Sequence, residues 1–197
     1  FKAYDIRGVY PLDINEENFP TIIKAIYTFF VREIKKNSLK VVLGCDMRLS
    51  SPSLFKIAQK TLFQMGARIL NVGLVATPTF YFACLKYQAD AGIQISASHN
   101  PPQWNGVKFV IRDGKNLVKI GKNTGMNKVK DLVDNGNFIN KKNGGMIIKI
   151  NNVVVEEVDS AFDYVRPAKI KTLKVVADPA NAMGIFYLDE IFKRLPC

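Results

Sequence analysis

Ser98 stands in the run Gly92-Ile93-Gln94-Ile95-Ser96-Ala97-Ser98-His99-Asn100-Pro101-Pro102, with Asn105-Gly106-Val107-Lys108 close behind. A short apolar stretch delivers a serine hydroxyl onto a loop, and two prolines stop helix or strand from continuing past it. The chain's only histidine, His99, adjoins the serine, and Lys108 follows ten residues on. A hydroxyl on a rigid loop beside an imidazole and an ammonium suits a nucleophile or a carrier of a phosphoryl group. A serine hydrolase built on Ser98 and His99 is the weaker reading. Adjacent residues rarely present nucleophile and base to each other correctly, and no acidic residue stands out to orient the imidazole. The plain alternatives are a loop serine that caps a turn and a structural histidine.

Such a loop needs a frame, and the surrounding sequence reads as one. Ala91–Ile95 is the strand that feeds the serine. Leu39–Leu43, ending at Gly44, and Arg68–Val72 read as further strands. Asn15 is placed to cap a first helix, with Glu16 and Glu17 near its positive end and Pro20 in its first turn. Ile22, Ile23, Ile26, Phe29, Phe30 and Ile34 then recur at helical spacing through about Lys36. Ser51 caps and Pro52 opens a second helix, with Leu54, Ile57, Ala58, Leu62 and Phe63 on one face and Gly66 as its stop. Thr77-Pro78 caps and starts a third helix, through about Tyr87. Val107–Arg112 reads as a strand, and Asp113-Gly114 is a hairpin turn pair.

Beyond that turn, residues 113–125 read as an exposed loop. Met126–Val133 is helical and ended by Asn135-Gly136, and Asn140–Gly145 is a polar turn. Strands alternating with helices, with one hairpin, predict an α/β fold: a mixed sheet flanked by helices. The chain is expected to divide near residues 146–158, giving a first domain over 1–150 and the incomplete start of a second, similar α/β domain over 151–197. In that second part Ala161–Val165 is a short helix, Leu173–Ala177 a strand, Asp178–Gly184 the loop after it and 185–194 a helix.

The length of 197 residues allows one large domain or one and a half. A net charge of +11 raises nucleic-acid binding as a reading. Its lysines are scattered, at helix ends and through Lys115–Lys142, and are not interleaved with exposed aromatics. The pattern favours a solvated basic surface with some attraction for anionic substrates, and no nucleic-acid partner. No apolar run approaches a membrane span, so no membrane partner is expected. The first residues lack signal-peptide shape, and with no initial Met the true N-terminus is expected upstream. Cys45, Cys84 and Cys197, odd in number and without metal-ligand spacing, read as reduced thiols of a cytoplasmic protein.

Ser96-Ala97-Ser98-His99-Asn100-Pro101-Pro102 followed by Asn105-Gly106-Val107-Lys108 closely resembles the phosphoserine loop of the α-D-phosphohexomutases. Three further segments carry the resemblance, in family order. Phe1-Lys2-Ala3-Tyr4-Asp5-Ile6-Arg7-Gly8 is similar to the N-terminal signature of the phosphomannomutase/phosphoglucomutase branch. Gly44-Cys45-Asp46-Met47-Arg48-Leu49-Ser50-Ser51 resembles its Gly-x-Asp-x-Arg-x-Ser segment. Gly73-Leu74-Val75-Ala76-Thr77-Pro78-Thr79 resembles its Gly-x-x-x-Thr-Pro stretch.

The resemblance implies an intramolecular phosphotransferase. It would move a phosphoryl group between the C1 and C6 oxygens of mannose or glucose, through a phosphoserine and a bisphosphorylated sugar. Such transfer needs positioning, charge neutralisation and proton handling. The resemblance implies Ser98 as the phosphate carrier and, through its phosphate, as a ligand of Mg²⁺. Lys108 matches the lysine that handles the hydroxyl proton and contacts substrate, a role open to a lysine where its surroundings favour the neutral amine. Arg7 matches an arginine facing the phosphoserine, and its fork of donors suits phosphate. His99 is implied to orient phosphate or hydroxyl. Tyr4 would line the sugar pocket, with a buried tyrosine as the equal alternative. Asn100 is a substrate contact or a shaper of the loop, Asn105 shapes the loop, and Gly106 relieves crowding. Asp46 and Arg48 are read as a pair that fixes the loop after the first strand.

The implied partners are phosphorylated hexoses, with Mg²⁺ as cofactor and hexose 1,6-bisphosphate as activator. The family's Mg²⁺ loop, Asp-Gly-Asp-Gly-Asp-Arg, occurs nowhere in this sequence. The remaining carboxylate ligands are therefore expected beyond the chain, and the chain alone is expected to be inactive. A non-catalytic phosphosugar-binding paralogue is the rival reading, and the intact Ser98, Lys108 and Arg7 argue against it.

Overall fold

The computed structural model describes residues 1–140, 144–165 and 171–196. Its strands are β1 (Ile6–Val9), β2 (Lys40–Cys45), β3 (Arg68–Leu74), β4 (Ala91–Ile95), β5 (Trp104–Asp113), β6 (Asn116–Lys119) and β7 (Met146–Lys149). Its helices are α1 (Phe19–Ile34), α2 (Ser51–Gln64), α3 (Thr77–Lys86), α4 (Met126–Asn135), α5 (Val153–Val165) and α6 (Ile185–Phe192). All the strands join one sheet in the order β1-β5-β4-β2-β3-β7, with β6 pairing the far half of β5. β4, β2, β3 and β7 run parallel, whereas β5 is antiparallel to β1, β4 and β6. This is the mixed α/β sheet expected from the alternation of elements.

The central strands explain themselves by burial on both faces, which parallel strands under helices require. Val41, Leu43 and Cys45 of β2, with Ala91, Ile93 and Ile95 of β4, join one core with α1, α2 and α4. Val42 of β2 points the other way, into a second core with Phe80, Ala83 and Cys84 of α3 and Val153 of α5. Gly92 lets α3 approach, since a Cβ there would stand 2.4 Å from Cys84 Sγ.

Several local expectations are corrected. The α1 cap is Asn18, not Asn15. Asn15 instead closes the preceding turn, its Oδ1 accepting from the Glu17 and Asn18 amides. The α2 cap is Ser50, and the Ser51 hydroxyl donates to Asp46 instead. Ala76, not Thr77, occupies the α3 cap position. Residues 113–125 are not all loop: Asn116–Lys119 returns along β5 as β6, pairing Val110 with Lys119 and Asp113 with Asn116. Ala161–Val165 is only the last part of α5, which begins at Val153. The expected strand Leu173–Ala177 is absent. That segment pairs with no strand among the described residues, and Val176 lies 99% exposed. A lone extended segment without a ladder partner leaves its backbone groups to water. Cys197 and the middle of the Asn140–Gly145 turn lie outside the described residues.

The register places the site. β2 and β4 run level from Val41↔Ala91 to Cys45↔Ile95. Past their ends the Asp46 amide donates to the Ile95 carbonyl (3.0 Å), and the Val75 amide, after β3, donates to the Cys45 carbonyl (2.9 Å). Three loops therefore leave the carboxyl edge together: 46–50, 75–76 and 96–103. That edge is where open α/β sheets hold ligands.

Candidate active site

A cleft of about 700 Å³ opens between these loops, lined by Asp46, Arg48, Thr77, Ser96, Ser98 and Asn100 among others. Ala180 to Met183 complete its wall. They are brought there by α6, whose Tyr187 hydroxyl accepts from the Ala76 amide (3.0 Å) and bonds Thr79, while Thr79 also donates to Glu157 of α5.

Ser98 is exposed and held at φ +58°, a left-handed conformation unusual for a residue with a side chain. Two groups hold it there. Its amide donates to Ser96 Oγ (2.9 Å), and its carbonyl accepts from Arg48 Nη2 (2.8 Å). Arg48 does more. Its Nη2 also donates to the Asn100 carbonyl (2.6 Å), and its Nη1 to the carbonyls of Pro101 (2.7 Å) and Trp104 (2.9 Å). One guanidinium thus gathers four main-chain carbonyls of the serine loop. Asp46 backs it, with Oδ2 3.3 Å from Arg48 Nε. The pairing of Asp46 with Arg48 is as read from the sequence, but the loop it fixes is chiefly the serine loop. Asn105, fully buried, braces the same region by donating to Ser50 Oγ (2.7 Å) and Ser51 Oγ (3.1 Å).

His99 is exposed, its Nδ1 3.4 Å from Ser98 Oγ, a loose contact. Tyr4 is 70% exposed, so it is not a buried tyrosine, and it lines a second pocket of about 310 Å³ with Asp5, Arg7, Tyr81, Lys108 and Lys119 among others. Lys119 lies over the Tyr81 ring, 5.3 Å from its centroid. Burial raises the Tyr81 phenol above its ordinary range, with smaller contributions from Cys84 and Asp5, and keeps it protonated. Arg7 and Lys108 thus line a pocket of their own and not the Ser98 cleft. Asn100 joins the two, since it lines the cleft and its Oδ1 accepts from Arg7 Nη1 (2.7 Å).

The residue that sequence reasoning passed over is Asp5. Its Oδ2 accepts from Arg7 Nε (2.7 Å) and from Lys108 Nζ (3.1 Å). The Arg7 fork expected to face phosphate is therefore turned toward this carboxylate. Pairing of Arg7 with Gly106 in the β1–β5 ladder makes the meeting possible. A Cβ on residue 106 would stand 2.2 Å from the Ile6 carbonyl oxygen, so glycine is required for this approach.

The family model for phosphoglucomutase/phosphomannomutase, alpha/beta/alpha domain I, matches residues 1–150. The chain belongs to the phosphoglucomutase/phosphomannomutase family. It is 33% identical to a phosphomannomutase of Vibrio cholerae over 194 residues, covering 98% of this chain and 41% of that protein. It is 30% identical to a phosphoglucomutase of Neisseria meningitidis over 198 residues, covering 99% and 40%. A solved phosphoglucomutase/phosphomannomutase family protein of Burkholderia thailandensis superposes with a TM-score of 0.73 at 26% identity, over 98% of this chain and 41% of that one. The chain thus spans about two-fifths of the relatives it matches.

The Mg²⁺ implied by the family finds no complete site here. Among the described residues no group of three or more His, Cys, Asp or Glu side chains is placed to hold a metal ion. Asp46 is the one carboxylate among the described residues lining the Ser98 cleft. It is already engaged by the Ser51 hydroxyl (2.7 Å), the Arg48 amide (3.1 Å) and the Arg48 guanidinium. A phosphate on Ser98 would add a ligand but not a site.

Proposed function

We propose that this chain is the phosphoserine-bearing part of a phosphohexomutase, interconverting hexose 1-phosphate and hexose 6-phosphate of mannose, glucose or both. The observation that carries the reading is the presentation of Ser98: an exposed hydroxyl on a strained, clamped loop at the mouth of a cleft, tied through Asn100 to Arg7. A hydroxyl meant only to cap a turn needs neither that strain nor that clamp.

In the proposed reaction a sugar hydroxyl oxygen attacks the phosphorus of phospho-Ser98. The new oxygen–phosphorus bond forms as the Oγ–phosphorus bond breaks, and a bisphosphorylated sugar results. Lys108, as the neutral amine, takes the proton given up by the hydroxyl, and the ammonium so formed is paired with Asp5. Arg7 meets the phosphate with the N–H groups that Asp5 and Asn100 leave free, and His99 steadies the phosphate or the Oγ. Tyr4 lines the sugar pocket and Asn100 contacts the substrate. Return of the other phosphate from the sugar to Ser98 Oγ regenerates the phosphoenzyme. Hexose 1,6-bisphosphate would charge an unphosphorylated Ser98 directly, and so activate. No step is routed through Mg²⁺, whose carboxylate ligands would come from residues other than those described. We place the protein in the cytoplasm, where such substrates and reduced thiols are found.

The test is Ser98→Ala in the full-length protein. Loss of mutase turnover, together with loss of radiolabel uptake from a labelled hexose 1,6-bisphosphate, is expected. Turnover that survives the substitution refutes the phosphoserine and favours a paralogue that binds phosphosugar without this chemistry.

A further inference from the structure

We propose that Asp5 is a positioning residue for phosphoryl transfer, one carboxylate that aims both Arg7 and Lys108 at the reacting phosphate. The proposal rests on the phosphoserine reading of Ser98. Asp5 is 3% exposed, so it stands at the back of the pocket that Arg7 and Lys108 line, far less open than either cation. Arg7 and Lys108 keep 17% of their side-chain surface open. A single oxygen, Oδ2, accepts from both, through Arg7 Nε and Lys108 Nζ.

The donor count shows what this does. Arg7 has five N–H groups in a rigid plane. Those on its Nε edge are turned toward Asp5, and Nη1 reaches Asn100 Oδ1. The rest meet no hydrogen-bond partner among the described residues. Lys108 Nζ spends one N–H on Asp5, and its other directions meet no hydrogen-bond partner among the described residues. The long, flexible lysine stem, which otherwise samples many rotamers, is thereby pinned relative to the guanidinium. The chain Lys108–Asp5–Arg7–Asn100 then fixes both cations relative to the serine loop, because Arg48 holds the Asn100 carbonyl in that loop.

Burial argues against a role in stability alone. A buried ion pair contributes little net stability, since desolvation offsets its attraction. Three charged groups gathered at one pocket, tied through Asn100 to the serine loop, are more simply explained by what they hold in place than by what they add to folding. Groups set in place beforehand also need no reorganisation when charge develops on the phosphate.

The experiment is a double-mutant cycle in the full-length protein: Asp5→Asn, Lys108→Ala and both together, with Ser98→Ala as baseline. Asp5→Asn keeps the shape and removes the charge. Its kcat is expected to fall about thirtyfold while KM stays within about threefold, since positioning acts on the transition state. In the Lys108→Ala background the same change should cost clearly less, about fivefold, because only the share acting through Arg7 remains. Thermal melting reports folding separately. If Asp5→Asn yields no folded protein, Asp5→Glu replaces it in the cycle under the same criteria, its charge kept and its oxygen displaced. An unchanged kcat, or an equal loss in both backgrounds, overturns the role of Asp5. An active Ser98→Ala overturns the phosphoserine reading instead, and the two failures are distinct.

Discussion

Replacing Arg48 by Met keeps most of the stem and removes the guanidinium that gathers the serine loop. Four main-chain carbonyls lose their donor, but not equally. The bonds to Ser98 and Pro101 are at the surface, where water takes over when the side chain is cut back. Those to Asn100 and Trp104 are partly buried. Counting only these two, at about 1.5 kcal/mol each for a bond to a charged donor, the variant should lose about 3 kcal/mol. Asp46 is not orphaned, since the Ser51 hydroxyl and the residue 48 amide still bond it. For a chain of this size that loss lowers the melting temperature by about 6–12 °C. The same substitution frees Ser98 to leave its left-handed conformation. Amide exchange across residues 96–104 should then accelerate by tenfold or more, corresponding to about 1.4 kcal/mol of local opening. Exchange in β2 and β4 below their common global limit should change less. A Met variant that melts within about 2 °C of the parent, or that melts lower with the serine loop as protected as before, would show that the four bonds do not hold the loop.

Gly106→Ala drives a Cβ to 2.2 Å from the Ile6 carbonyl, so β1 must move; a stability loss of about 2 kcal/mol in urea titration is expected, and an unshifted midpoint refutes the close approach. Burial raises the Glu157 carboxyl above the ordinary glutamate range, against a smaller opposing effect of the Thr79 hydrogen bond. The folded state therefore holds this proton more tightly than the unfolded chain. Its contribution is full below the ordinary glutamate pKa and is lost as pH rises through the raised value. Glu157→Gln should accordingly gain stability relative to the parent between pH 4 and pH 7, and a difference independent of pH counts against the buried acid. Burial pushes the Cys45 thiol up to about 12 and raises Cys84 as well, so neither should be alkylated by iodoacetamide in the native protein at about pH 8; rapid labelling of either contradicts its burial.

What the sequence disclosed and what it hid divide along a physical line. β4 was legible to the residue because a continuous apolar run closed by a polar loop has one simple reading. The prolines at the starts of α2 and α3 marked those helices, and Gly136 marked the end of α4 by taking φ +65°. β6 was hidden because Asn116-Leu117-Val118-Lys119 is too short for its two apolar residues to show a strand's alternation. It exists because β5 continues past β1 and offers an open edge. The start of α5 was hidden because Val153-Val154-Val155 carries poor helix propensity, which packing of Val153 and Val154 against α3 and its neighbours overrides. Leu173–Ala177 shows the converse: an apolar run does not make a strand where no described neighbour pairs with it.

The site divides the same way. Ser98, Lys108, Arg7 and Asn100 were visible as residue types in a recognisable order. Asp5 and the reach of Arg48 were not, although both stand in quoted motifs, because their work is done at long range. Asp5 meets Lys108 across 103 residues, and Arg48 meets the carbonyls of the serine loop across 50 to 56. No local pattern encodes such a meeting; the sheet does. β1 comes from the N-terminal end of the chain and pairs with β5, which sets Arg7 beside Gly106 and brings Asp5 to Lys108. β2 lies level with β4 and sets Arg48 under Ser98. The two arginines then converge on Asn100, one holding its side chain and the other its carbonyl. A loop held from both sides in this way can keep a serine strained and exposed without being buried. That is the condition a phosphate carrier must meet if it is to give its group to one oxygen and take it back from another.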